Sequence, residues 1–96
     1  MIYKLAFLPT AEKSWRKLGS TIREQLKKKL DERLSNPRVP KDALSGFPDH
    51  YKIKLKDAGY RLIYVVNDNA VTILVVSIGK RERSEAYRKI PDAKSR

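Results

Sequence analysis

The stretch Tyr51-Lys52-Ile53-Lys54-Leu55-Lys56, followed by Asp57-Ala58-Gly59 and then Tyr60-Arg61-Leu62-Ile63-Tyr64-Val65-Val66, decides how this chain is read. Successive side chains on a strand point to opposite faces, so Tyr51, Ile53 and Leu55 are predicted to enter a core while Lys52, Lys54 and Lys56 line the other face. Turn-forming residues at 57–59 join two β-rich runs and predict a hairpin. In a tight hairpin Lys54 sits nearly opposite Arg61 on one face, an unfavourable pairing of like charges. A third apolar run, Val71 to Ile78, follows the turn Asn67-Asp68-Asn69 and completes an antiparallel meander. One face of the sheet is thus cationic.

Upstream, Tyr3, Leu5 and Phe7 share one side of a first strand over Ile2 to Leu8, ended by Pro9. Thr10 is predicted to cap a helix running to Leu18 and stopped by Gly19, with Ala11, Trp15 and Leu18 facing inward. A second helix starts at Ser20 or Thr21, where Thr21 and Glu24 have capping-box spacing. Its stripe is Ile22, Leu26, Leu30 and Leu34, and it ends before Pro37. Its other face carries Arg23, Lys27, Lys28 and Arg33, read as a solvated surface that adds to the field. The segment from Asn36 to Asp49 is a connecting loop, with Leu44 and Phe47 tucked onto the core. Glu82 to Lys89 is predicted as a short helix and Pro91 to Arg96 as a frayed end. The fold class is α+β in one domain over 1–96: a strand, a helical hairpin, and a meander that completes a twisted four-stranded sheet.

The chain has 96 residues, with 22 Lys and Arg against 11 Asp and Glu, a formal charge of +11. Such a field attracts phosphate polymers, and an acidic protein could equally neutralise it. With 41% hydrophobic and 34% charged residues the chain is globular, and no apolar run approaches a membrane span. The N-terminal residues lack the features of a signal peptide, so a cytoplasmic protein without membrane contact is expected. Cysteine is absent and His50 is the one histidine, so no thiolate nucleophile, Cys-based metal site or cofactor is expected. His50 is read as a surface or turn residue, Trp15 as core, and Tyr51, Tyr60 and Tyr64 as structural. Tyr87 follows a run of cations and is equally suited to packing and to stacking on a base.

Four segments carry a resemblance to a known family: Trp15-Arg16-Lys17-Leu18-Gly19-Ser20, Tyr51-Lys52-Ile53-Lys54-Leu55, Gly59-Tyr60-Arg61-Leu62, and Gly79-Lys80-Arg81-Glu82-Arg83-Ser84-Glu85. Together they resemble the RelE family of toxins from bacterial toxin-antitoxin pairs, within the RelE/ParE superfamily and its microbial RNase-like fold. The resemblance implies a toxin that enters the A site of the 70S ribosome, against ribosomal RNA, and cleaves the mRNA there. It also implies a RelB-like antitoxin, with operator DNA bound only in the antitoxin's company.

By position the resemblance carries over Lys52, Lys54, Arg61, Arg81 and Tyr87 as the catalytic set: Lys54 helped by Lys52 as base, Arg81 as acid or charge stabiliser, Arg61 on the phosphate, and Tyr87 stacked on a codon base. Lys56, Lys80, Arg83, Lys27 and Lys28 are expected to bind RNA or the ribosome. Ser45 stands where an arginine is expected, which weakens the RNA contact there.

Attack of a 2′-OH on the adjacent phosphate requires loss of that proton, stabilisation of added negative charge, and protonation of the 5′ leaving oxygen. An ordinary lysine, with a pKa of about 10.4, is neutral in only about 1 molecule in 2,500 at pH 7. Lowering it to roughly 7 to 8 takes about 3 to 5 kcal/mol, which crowded cations and desolvation can supply. The row can also act purely as electrostatic stabilisation. Two alternatives stay open: a ParE-like toxin that acts without catalysis on a protein target such as gyrase, and a basic nucleic-acid-binding regulator that reads phosphates alone.

Overall fold

In a computed structural model, which describes residues 2–80 together with Ala86 and Ile90, the chain runs β1 (Lys4–Phe7), α1 (Pro9–Lys17), α2 (Ser20–Ser35), a 3-10 turn (Pro40–Asp42), β2 (His50–Leu55), β3 (Tyr60–Asn67) and β4 (Thr72–Lys80). The strands form one sheet in the order β1-β4-β3-β2. The meander is antiparallel, whereas β1 pairs with β4 in parallel, from Lys4 opposite Thr72 to Phe7 opposite Val75. Parallel pairing needs a crossover, and α1 and α2 provide it. The expected C-terminal helix over Glu82 to Lys89 lies outside the described residues, Ala86 excepted.

The second helix starts at Ser20 as expected, but both helices are capped differently from the sequence expectation. Leu8, not Thr10, is the N-cap of α1, because Pro9 sits at the first helical turn with its φ already set. Gly19, expected only to stop α1, is the N-cap of α2, and no capping box forms at Thr21 and Glu24. Arg23 instead donates to the Leu18 carbonyl at 2.7 Å, satisfying the end of α1, so it is part of the helix junction and not merely a solvated cation. Val71, expected in the third run, has φ 49 and closes the turn before β4. Asn67 accepts the Ala70 N–H at 3.0 Å, which shapes that turn locally.

The helices cover one face of the sheet. Leu26, Leu30, Leu62, Tyr64, Ile73 and Val75 are fully buried there, with Ile53 and Ile78 beside them. Ile22 and Leu34, at the ends of the α2 stripe, are only partly buried at its edge, and Trp15 is partly exposed, its ring 5.2 Å from that of Phe7. The other face carries a second apolar group, Ile63 and Val76 with Ala86 and Ile90, flanked by Leu44 and Phe47 from the loop. Between Ile63 and Tyr64 the β3–β4 register shifts, inserting Val76 as a bulge. His50 is buried at the start of β2, its Nδ1 2.8 Å from the Pro48 carbonyl and its ring 5.6 Å from Phe47, so it is not a surface residue. Among the described residues no helix is long and apolar enough to cross a membrane.

Two arginines hold the loop between α2 and β2. Arg33 donates to Asp42 at 2.6 Å and to the Tyr64 hydroxyl at 2.9 Å, and that hydroxyl donates to the Pro37 carbonyl at 2.7 Å. Arg33 is therefore a half-buried structural cation rather than part of a solvated face. Arg38 bridges Asp49 at 2.9 Å and Asp68 at 2.8 Å, while the Tyr3 hydroxyl donates to Asp68 at 2.6 Å. This second set ties β1, the loop and the β3–β4 turn together.

The hydrogen bond from Tyr3, and then the one from Arg38, hold the Asp68 carboxyl below the usual carboxylate range. A depressed folded-state pKa means that the stabilisation is present above the unfolded value, about 3.9, and disappears as pH falls through the folded one. Thermal melts across the acid range should show a wild-type melting temperature that declines more steeply than that of Asp68→Asn. Parallel curves would show that this carboxylate does not couple folding to pH.

Candidate active site

Strand periodicity and hairpin register assemble the candidate site on the face opposite the helices. Lys54 pairs directly with Arg61, and Lys52 with Ile63. Neighbouring side chains in such pairs have Cβ atoms about 4.5–5.5 Å apart, so two cationic side chains rise from adjacent positions of one face. Lys52 is two residues before Lys54 on the same face and is half-buried, while Lys54 is exposed. The main-chain carbonyl of Lys52 accepts a bond from Arg33 at 3.3 Å, which joins the structural network to the cationic row.

Arg61 is half-buried in the third strand of the sheet order, between β2 and β4. Its partner on the other side is Gly79, which puts no side chain beside it. The three cations thus sit on paired, rigid strands, where a phosphate would meet charges already in place.

The other expected positions divide. Lys56 is exposed just past the end of β2, and Lys80 is exposed at the end of β4. Lys28 lines a groove between α2 and the end of β2 that also contains Lys54 and Lys56, so it joins the row around the sheet edge. Lys27 faces another groove, beside Trp15, and its ammonium pairs with Asp31 at 3.3 Å. It is thereby separated from the row. Lys29, which the sequence pattern does not single out, lines the Lys28 groove. Ser45 is exposed in the loop before β2. Arg81, Arg83 and Tyr87 lie outside the described residues.

The ParE toxin family of type II toxin-antitoxin systems matches residues 5–85. Over 87 residues, 91% of this chain and 92% of the relative, the sequence is 60% identical to the mRNA interferase toxin RelE of Escherichia coli K12. The chain belongs to the RelE family.

Solved RelE structures agree with the fold. A double arginine-to-alanine mutant of E. coli RelE in the free state superposes with a TM-score of 0.86 at 56% identity, covering 93% of this chain and 94% of that one. RelE within the intact E. coli RelBE toxin-antitoxin complex gives 0.80 at 58% identity, covering 81% and 95%. The family resemblance read from the four segments, and the α+β sheet that it implied, are both borne out.

Proposed function

We propose that this chain is the toxin of a type II toxin-antitoxin pair, an endoribonuclease that cleaves mRNA in the ribosomal A site and that a RelB-like antitoxin neutralises. The observation that carries it is 60% identity, across nearly the whole chain, to a protein named as an mRNA interferase. The antitoxin follows from relatives solved with RelB or a RelB peptide. The expected setting is the cytoplasm, where ribosomes and message are found. Binding of operator DNA belongs to the toxin-antitoxin pair.

In the proposed reaction the 2′-OH loses its proton as its oxygen bonds to phosphorus, and the P–O bond to the 5′ oxygen breaks as that oxygen is protonated. Lys54, with Lys52 beside it, takes the proton or stabilises the charge that replaces it. Arg61 holds the phosphate oxygens with paired donors. Arg81 supplies charge or a proton at the leaving side, and Tyr87 stacks on a base of the codon. These groups are weak acids and bases at neutral pH, so the ribosome's positioning of the strand contributes much of the rate.

The matching family is named for ParE toxins, so a non-catalytic toxin acting on a protein target is the competing reading. A lysine pair and an arginine converging on one face favour phosphate chemistry over it.

The test is primer extension on programmed ribosomes, with message alone as the control. Wild type should cut within the A-site codon and leave free message nearly intact, and Arg81→Ala should lose the cut while keeping its circular dichroism spectrum. Rapid cleavage of free RNA defeats ribosome dependence, and full activity of Arg81→Ala removes that arginine from the mechanism.

A further inference from the structure

We infer that Ser77 is a positioning residue of the cleavage site, its hydroxyl fixing the backbone that carries Tyr87 against the cationic face of the sheet. The inference rests on the proposed interferase activity and adds to it a residue that meets neither phosphate nor base. Ser77 lies within β4, in the run Ile73-Leu74-Val75-Val76-Ser77-Ile78, where every other side chain is apolar. It is 1% exposed, and its hydroxyl donates to the main-chain carbonyl of Ala86, nine residues on. A hydroxyl buried without a partner is costly, so a serine at this depth demands an acceptor. The acceptor comes from the segment that follows the sheet.

The bulge in β4 aims the side chain. On a regular strand Ser77 would share a face with Val75, which packs under the helices. Tyr64 pairs with Val75 and Ile63 with Ser77, so Val76 is the extra residue and the alternation is reset there. Val76 packs on the opposite face with Ile63, and Ser77, as the cross-strand partner of Ile63, shares that face. Ile63 is in turn the partner of Lys52. Lys52, Ile63 and Ser77 therefore stand in one line across β2, β3 and β4, on the face that carries Arg61. Two strand spacings put the Ser77 backbone about 10 Å from that of Lys52.

Two kinds of contact hold Ala86 on this face. Ala86 and Ile90 are buried with Ile63 and Val76, and such apolar contacts are non-directional. They press a segment down and leave its register free. A hydrogen bond has a preferred length and angle, so it sets the register. The carbonyl that Ser77 holds belongs to the planar peptide group joining Ala86 to Tyr87, and the bond thus orients the unit from which the Tyr87 side chain begins. Asp42 and His50, also buried and polar, bond to Arg33 and to the Pro48 carbonyl and serve the loop before β2. Ser77 serves the segment that carries Tyr87.

The experiment compares Ser77→Ala, Tyr87→Ala and the double variant in cleavage on programmed ribosomes, with folding followed by circular dichroism. A displacement of about 1 Å caused far from the chemistry can cost on the order of 100-fold in rate, so Ser77→Ala should lower kcat by about 10- to 100-fold. KM should be kept, because Lys52, Lys54 and Arg61 are untouched. Adding Ser77→Ala to Tyr87→Ala should slow cleavage no further, since a residue acting through Tyr87 has nothing left to position. Thr and Val share a shape and differ in the hydroxyl, so Ser77→Thr should cut faster than Ser77→Val. That pair separates the bond from packing and carries the test even where Ser77→Ala does not fold.

Losses that multiply in the double variant make Ser77 a structural residue and overturn the inference, as do equal rates for Ser77→Thr and Ser77→Val. Full activity of Tyr87→Ala removes Tyr87 from the mechanism and the part of Ser77 with it. Failure of wild type to cut on programmed ribosomes defeats the interferase activity itself. A wild type that cuts, beside a slowed Tyr87→Ala and a Ser77→Ala at the wild-type rate, defeats the role of Ser77 alone.

Discussion

Arg61→Ala is expected to lower single-turnover cleavage on programmed ribosomes by roughly 100- to 1,000-fold, the range found when one preorganised donor to developing negative charge is removed. The size follows from where the side chain sits. Arg61 is half-buried between two paired strands, so its guanidinium is held in place before the substrate arrives. The loss should fall mainly on kcat, because the charge it meets is larger in the transition state than in the bound strand. Arg61→Lys should fall between the two, since the cation is kept and the planar pair of donors is removed. The fold should survive, because Ala also relieves the like-charge pairing with Lys54. A folded Arg61→Ala variant that cleaves at the wild-type rate excludes the residue from phosphate stabilisation.

The second large effect concerns stability. Arg33→Ala should cost about 3 to 5 kcal/mol, the usual consequence of leaving one partner of a buried ion pair uncompensated. The side chains of Arg33 and Asp42 are only 16% and 12% exposed, so water cannot replace the missing guanidinium. The same change takes one donor from Tyr64, which is fully buried at the centre of the sheet. At about 4 to 8 °C per kcal/mol for a domain of this size, the melting temperature should fall by more than about 10 °C. Arg33→Ala/Asp42→Ala should recover part of the loss, since the stranded carboxylate goes too, and the double-mutant cycle measures that coupling. A melting temperature within a degree or so of wild type in Arg33→Ala would mean that the pair is not stabilising the loop.

The helices of this RelE-family chain were legible to within a residue or two, and their caps were not. The stripe of Leu26 and Leu30 announces α2 through its period, whereas the caps depended on Pro9 and Gly19 outcompeting Thr10 and Thr21. The hairpin partner of Lys54 could be read because a short turn sets strand register locally. The sorting of the arginines could not. Arg23, Arg33 and Arg38 look alike in sequence, yet one closes a helix junction, one is half-buried beneath the loop, and one ties three segments together. Each finds a partner that chain folding brings to it. Lys27 and Lys28 are adjacent residues with the same chemistry, yet Lys27 lines only the groove beside Trp15, whereas Lys28 lines that groove and also the one with Lys54. That division requires knowing where α2 lies on the sheet.

Sequence alone determined the cationic row and its place opposite an apolar face, because strand alternation and hairpin register are short-range properties of the chain. The resemblance in its four segments also identified the family before any tertiary pairing was known. Only the tertiary structure decided that β1 pairs in parallel with β4, that Arg33 and Arg38 serve the fold, and that Lys28 and Lys29 continue the row around the β2 edge. These depend on how the two-helix crossover sets α2 against β2. No local period encodes that placement, since it is settled by the packing of residues far apart in the chain.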